Sequence, residues 1–499
     1  MNPLTLSGLP PLPLLLWETP PGLELILGQE GIACVRAKET HPLAFRGGRF
    51  VLYDGRKVSA AKLRSALSPE HVALDIDLLR REDGRDPFEA LVDTKGTRVS
   101  WKVDEGIVTE RVSRVAKAAI RHRLIRRLRH AVNQAGGVWA RLAPFPFPYR
   151  SAFNFRADLD ESVVEDYARY ARARRPLDDC CTHFVSTHAY GREPEVLEDL
   201  LRCDTQSHGH YHFIYRDPEA NRWNLRRARR ILEDAGFASV GFAAPHGRWN
   251  PGLDAELEDF GYLYSSDFQL GYDDLPFFPW RGDRFSKVLQ IPIHPICEGI
   301  FNEAGIDDGR VVAEHLARTV IAKIEAGEPA FVYGHPERRL ARYPEVLATL
   351  ARTIANEPLL WRVTLSDFAK WWHWRHARRW SLVPKTEDRL ELQFEEWSVE
   401  YPLALEVARG QHVALVPVTG PRMLLRLEDL AYERREPSIN HMPSTVASPR
   451  SASLKAAVRA ALDWETVTPV DDLPTNLFTD RVKKRLRQWR GPLGVEAAR

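Results

Sequence analysis

Between residue 151 and about residue 375, short β-type runs alternate with helical segments eight times: FNFRAD, THFVS, DTQS, VGFAA, YLYSS, LQIPI, AFVYG and RVTLS. Strands separated by a helix's length of chain cannot be joined as hairpins, so they run parallel with the helices packed on the sheet. The helices carry their own punctuation. Asn250 stands at a cap position, Pro251 suits the first helical turn and Gly261 can close the helix, while the segment Trp223 to Ala235 is followed by Gly236. The expected fold class is α/β, a parallel sheet or a (β/α) barrel.

The flanks read differently. Residues 1–105 mix runs such as LELIL, FVLYDG and VALDID with turn signals, which predicts a small α/β domain. Residues 107–132, within a connecting region 106–149, predict one amphipathic helix. Val112, Val115, Ala119, Leu124, Leu128 and Val132 share its apolar stripe, eight cations from Arg111 to Arg129 form a basic face, and Gly136 and Gly137 end it. The Pro-rich hinge APFPFPYR leads into the 150–380 unit, whose aromatic segment WWHWRHARRW is expected to pack the last barrel helix against the body. Alternation in LELQFEEW, LALEVA, HVALVPV and MLLRLEDL predicts a small antiparallel β module over 385–435, and 436–499 reads as a linker and a basic helical tail.

Charge narrows the partners. With 70 Lys+Arg against 68 Asp+Glu over 499 residues, a polyanion-coating protein is excluded and no nucleic-acid partner is expected. No run of about 20 apolar residues exists to span a bilayer, and the proline-interrupted start is a poor signal peptide. Five cysteines without a CxxC pair read as reduced, buried thiols. The expected location is cytoplasmic, with the basic helices as a peripheral contact to an anionic membrane surface.

Catalytic groups of such folds sit on loops leaving the C-terminal ends of the strands. Here the first run leads to Asp158 and Asp160 (FRADLDES), the third to His208, His210 and His212 (SHGHYH), and the fourth to His246 (AAPHG). The fifth leads to Asp267 (YSSDF), the sixth to His294 (IPIHP) and the seventh to His335 (YGHPE). One such histidine is ordinarily a satisfied core residue; imidazoles and carboxylates at six strand ends together point to a site. His208, His212 and one carboxylate form the donor set of catalytic zinc and non-haem iron. The second carboxylate is then free as a base towards water acidified by the cation. A protonated His335 opposite would supply the leaving group's proton, with Asp267 orienting it.

This ordered set resembles the polysaccharide deacetylases, carbohydrate esterase family 4, with the NodB-homology fold. The resemblance spans residues 150 to about 375, under half of the chain, and implies a distorted (β/α) barrel of that type. FRADLDE resembles the family's first motif, implying base Asp158 and metal ligand Asp160. SHGHYH resembles its His-x-x-x-His motif, which makes His208 and His212 ligands and leaves His210 outside. The third motif usually reads Arg-x-Pro-Tyr-Gly; AAPHG instead puts Ala243 at the arginine position and His246 at the tyrosine. Arg248 or Arg156 is then left to hold the catalytic aspartate, and the His246 backbone N–H to help stabilise an oxyanion. Asp267 resembles the fourth-motif acid, and GHP with His335 the fifth-motif general acid.

The motifs imply a metal-dependent hydrolase that removes an N-acetyl or O-acetyl group from an amino-sugar-containing glycan or glycolipid. Zinc is favoured, and the same donors accept Co2+, Ni2+ or Fe2+. Two readings stand beside it: hydrolysis of a non-sugar amide or formamide, and, because of Ala243, a glycan-binding member of the fold with weakened turnover.

Overall fold

The computed structural model describes residues 13–36, 50–67, 71–80, 85–103, 106–134, 138–215, 217–386, 388–434, 442–447 and 485. Its centre is an all-parallel sheet of eight strands: β1 Ser151–Leu159, β2 Cys181–Val185, β3 Asp204–Ser207, β4 Gly241–Ala243, β5 Tyr264–Ser266, β6 Leu289–Gln290, β7 Ala330–Gly334 and β8 Leu360–Arg362. Seven lie in the order β6-β5-β4-β3-β2-β1-β7. On one edge of β1, Ser151 to Phe153 pair with β8 and Phe155 to Leu159 with β2; on the other, Phe153 to Ala157 pair with β7. Past β6, the backbone N–H of His294 donates to the Phe331 carbonyl of β7 at 2.9 Å, linking the two ends of the sheet. Every residue of β1 is buried, as expected for a parallel strand covered on both faces.

Caps set the helices. Asp217 accepts from Glu219 N at the start of Pro218–Asp234, and Asn250 from Leu253 N at the start of Pro251–Asp259. The eighth run is shifted from the sequence expectation. Its strand is LWR, and RVTLS instead opens the next helix, because the Thr364 hydroxyl accepts from Asp367 N at 3.2 Å and caps Leu365–His376. Trp371 and Trp372 of that helix are fully buried against the sheet, so the aromatic segment packs the body.

The expected single helix over 107–132 requires correction. Gly106–Ser113 is a strand, paired antiparallel with Gly96–Val103, and only Lys117–Gln134 is helical. Ile107, Val108, Thr109 and Val112 are β-branched and pack better on a pleated surface than on a helix. The basic face shrinks accordingly. Lys117 and Arg121 are buried, Arg114 pairs with Asp93, and Arg129 bonds the Gly410 carbonyl.

A second apolar core lies beside the barrel and draws on both ends of the chain. It joins Leu14, Ile26 and Phe50 with Leu124 and Leu128 of the helix Lys117–Gln134 and with Leu392, Leu405 and Leu425 of the C-terminal strands. The strand Trp139–Leu142, just before the hinge, pairs antiparallel with Leu403–Arg409. The C-terminal basic stretch lies outside the described residues apart from Arg485. Among the described residues, no helix is long and apolar enough to cross a membrane.

Candidate active site

At the C-terminal ends of the strands, four expected residues converge on one point. Asp160 Oδ1 lies 3.2 Å from both His208 Nε2 and His212 Nε2, and Asp160 Oδ2 is 3.7 Å from His335 Nε2. Gly209, at φ 85°, adopts a backbone conformation that side chains disfavour and lets the chain turn between the two histidines. His208 Nδ1 is 2.7 Å from the Ala243 carbonyl. A carbonyl only accepts, so Nδ1 carries the hydrogen and Nε2 presents a lone pair to Asp160.

The donor set therefore fits a divalent cation. Asp160 Oδ1 is buried and meets no hydrogen-bond donor among the described residues, although two imidazole nitrogens stand beside it. Three donor atoms lie close together with lone pairs to share, and His208 is tied by its other nitrogen as metal-ligating histidines are.

Asp158 is held apart from that cluster, with Oδ2 at 4.0 Å from His208 Nε2. Arg156, two residues earlier on the same face of β1, grips it with both arms: Nε to Oδ1 at 2.6 Å and Nη2 to Oδ2 at 2.5 Å. Arg156 Nη1 reaches the Ser266 carbonyl at 2.6 Å, which fixes the guanidinium between β1 and β5. Burial pushes the Asp158 carboxyl up, but Arg156, with His208 behind it, more than offsets this and holds it below the usual carboxylate range. Of the two arginines considered for this place, Arg248 instead lies over the Phe213 ring and does not line the cavity.

Asp267 does not orient His335, which corrects the sequence expectation. Its Oδ1 accepts from Ala244 N at 3.0 Å and its Oδ2 from Ser265 Oγ at 2.7 Å, and complete burial pushes it up to about 7. The carboxylate at His335 is Glu298, whose Oε1 takes both the backbone N–H and ring Nδ1 at 2.7 Å. Burial alone would lower the His335 pKa, but Glu298 raises it well above the ordinary value. Sequence reading missed Glu298 because His294 is the first polar side chain after β6. The chain runs four residues further before turning a carboxylate to the rim; a glutamate inside the apolar run PICEGIF was the available signal. His294 itself bonds Asp273 at 2.9 Å and His315 at 3.2 Å, and His210 faces Thr187.

Arg156, Asp158, Asp160, His208, His212 and His335 line a cavity of about 130 Å3. His246 stands at its edge, its ring 4.8 Å from that of His212, on a turn where it takes φ 56°. A non-glycine residue there is strained by on the order of 1–2 kcal/mol. Glu110, from the hairpin strand Gly106–Ser113, and Glu303 and Arg339 also line the cavity, none of them singled out from sequence. Larger cavities of about 470 and 560 Å3 lie elsewhere and include none of the strand-end residues.

No family model matches the chain, and no curated protein matches it. Among solved structures, it is similar to a Mycobacterium smegmatis protein described provisionally as a polysaccharide deacetylase, with 21% identity, 46% of this chain and 92% of that one covered, and a TM-score of 0.40. A family 4 carbohydrate esterase from Streptomyces lividans, in complex with acetate, aligns at 13% identity over 42% of this chain and 90% of its own, with a TM-score of 0.30. A CE4-family pseudoenzyme from Bacillus anthracis aligns at 10% identity over 55% and 90%, with a TM-score of 0.32. The chemistry below rests on the residues of this chain.

Proposed function

We propose that this protein is a metal-dependent hydrolase that removes an acetyl group from the nitrogen, or an oxygen, of an amino-sugar-containing glycan. The observation that carries the reading is the division of labour between neighbouring aspartates: Asp160 Oδ1 faces two imidazole nitrogens at 3.2 Å, while Asp158 is withheld by Arg156. Asp160, His208 and His212 would hold the cation, with zinc the favoured ion for two imidazoles and one carboxylate. When bound, such a cation supplies Lewis acidity and acidifies water.

The chain's own groups do the rest. Asp158, kept ionised by Arg156, accepts a proton beside the cluster. His335, on the other side of Asp160 and kept protonated by Glu298, donates one to the departing amine or alkoxide. The left-handed turn at His246 brings its backbone N–H to the cavity edge as the oxyanion donor, the Gly247 N–H being given to the Ala244 carbonyl at 2.9 Å. The grip of Arg156 on Asp158 supplies the contact that Ala243 cannot, and supports turnover over a binding role alone.

Size bears on the substrate. A cavity of about 130 Å3 is small beside the roughly 300–1,000 Å3 of ordinary ligand pockets. It suits an acyl group with the sugar chain lying across the rim. The test is acetate release from a panel of acetylated chitooligosaccharides, with a formamide and a cyclic ureide as controls. Acetate release that falls by about 10^3-fold in Asp158→Asn is expected; turnover of the non-sugar amides alone would transfer the activity to them, and an unchanged rate in Asp158→Asn would end the reading.

A further inference from the structure

We propose that Cys297, Glu298 and His335 form a second cation-binding site, next to the first and opening on the same cavity. One ligand atom from each, a thiol sulfur, a carboxylate oxygen and an imidazole nitrogen, lies within 4.8 Å of the others. Zinc bonds of 2.0–2.3 Å place tetrahedral ligands roughly 3.5 Å apart, so modest closure brings the three onto one ion. Cys297 lines the cavity and is only 3% exposed, and Glu298 is completely buried.

Two further observations point to a ligand. Glu298 Oε1 is committed to His335, but Glu298 Oε2 is buried and meets no donor among the described residues. An orphaned buried carboxylate oxygen is costly to leave without a partner. The backbone also makes room for the cluster: a Cβ on Gly334 would lie 2.6 Å from Glu298 Oε2.

The donors select the ion. A thiolate with imidazole and carboxylate favours zinc or cobalt(II) over magnesium or calcium. On binding, the Cys297 thiol and the His335 imidazolium each release a proton to solvent, and the ion takes the freed lone pairs. Asp160 Oδ2 is 3.7 Å from His335 Nε2, so the two sites adjoin. A regulatory consequence rests on the proposed role of His335 as proton donor: the cation that loads the first site becomes an inhibitor in excess, because the second ion occupies the donor.

The experiment is titration of the metal-stripped full-length protein with Co2+, followed by metal content and by the sulfur-to-cobalt charge-transfer absorption in the near ultraviolet. About two Co2+ per chain are expected, the sulfur band growing in with one of them; Cys297→Ala should bind about one and show no band. In the double variant Asp160→Asn, His208→Ala, the band should remain and accompany a single ion. Absence of the band from the wild type at saturation, or its persistence in Cys297→Ala, overturns the site. Excess Zn2+ should slow the wild type roughly a hundredfold and spare Cys297→Ala. A band without that inhibition would keep the site and overturn the donor role of His335.

Discussion

Two clusters in this molecule are made of the same kinds of side chain and do opposite things with them. Between the barrel and the second core, Arg121 bonds Asp274 at 2.7 Å, also meets Glu30, and stands 3.5 Å from Glu328. Glu30 meets Arg141, which holds Glu406 at 2.6 Å, and Lys323 sits 2.9 Å from Asp273. Each of these three cations faces an anion. At the rim, Asp160 Oδ1 faces two imidazole nitrogens yet accepts no hydrogen bond. Charge taken out of water is tolerated when paired, and an unpaired arrangement that the fold maintains marks a place for a missing partner. The difference between the two clusters is ion pairing, which residue types alone do not reveal: among the described residues Lys323 Nζ, Asp273 Oδ1 and Asp274 Oδ2 lack a hydrogen bond too, yet each residue belongs to an ion pair.

The largest effect that tests this contrast is at the rim. Asp160→Asn should lower metal content by about one ion per chain and kcat/KM by about 10^4-fold, with the melting temperature of the metal-free protein nearly unchanged. Metal analysis and calorimetry on one sample check both halves; a large loss of melting temperature would make Asp160 a structural residue. The paired cluster should behave in reverse. Arg121→Ala takes the guanidinium from buried Asp274 and leaves Glu30 to Arg141 and Glu328 to His122 and Lys323, so it should cost about 3 kcal/mol of stability in denaturant unfolding. Folded protein below the transition should retain its metal.

How much of this was legible in the sequence follows from how far each signal reaches. The strand runs and the Asp, His-x-x-x-His and His residues at their ends are local signals, and the structure brings Asp158, Asp160, His208, His212 and His335 together. The approach of Cys297 and Glu298 to His335 was not legible, because it depends on a chain path seven and eight residues past a short strand. Asp267 misled because it ends a strand as the others do but turns its carboxylate onto the backbone of Ala244. Glu110 was hidden by a wrong period: cations at helical spacing outweighed the β-branched alternation that makes residues 106–113 a strand. The second core, built from segments more than 350 residues apart, has no local signature.

A smaller effect separates Asp158 from its neighbour. Arg156→Met should lower kcat by roughly 10- to 100-fold and leave metal content intact, since Arg156 bonds Asp158 and Ser266 and lies over the Phe184 and Tyr333 rings, none of them a donor to the ion. Without the guanidinium, burial dominates and the Asp158 carboxyl rises. The acid limb of the kcat/KM profile should then move to higher pH. A profile that falls uniformly without moving would remove Asp158 as the titrating base.

The smallest effect asks whether the accessory hairpin belongs to the site or only walls it. Glu110 reaches the rim cavity from outside the barrel, and burial, opposed by a hydrogen bond from the Arg111 backbone N–H and by His246, pushes it up to about 7 from an ordinary 4.5. Below pH 6 the side chain is therefore protonated and resembles glutamine; above pH 8 it carries a charge that glutamine lacks. Glu110→Gln should match the wild type in kcat/KM at low pH. As the pH rises through 7 the two should diverge by roughly three- to tenfold, mostly in KM, the size of one ordinary hydrogen bond to a substrate hydroxyl or amine. The same titration sets the stability profile: the folded state holds its proton up to about pH 7 and the unfolded chain releases it near 4.5, so wild-type stability falls across that window and Glu110→Gln removes the slope. If the stability slope disappears while kcat/KM stays equal at every pH, the hairpin shapes the cavity without touching what enters it.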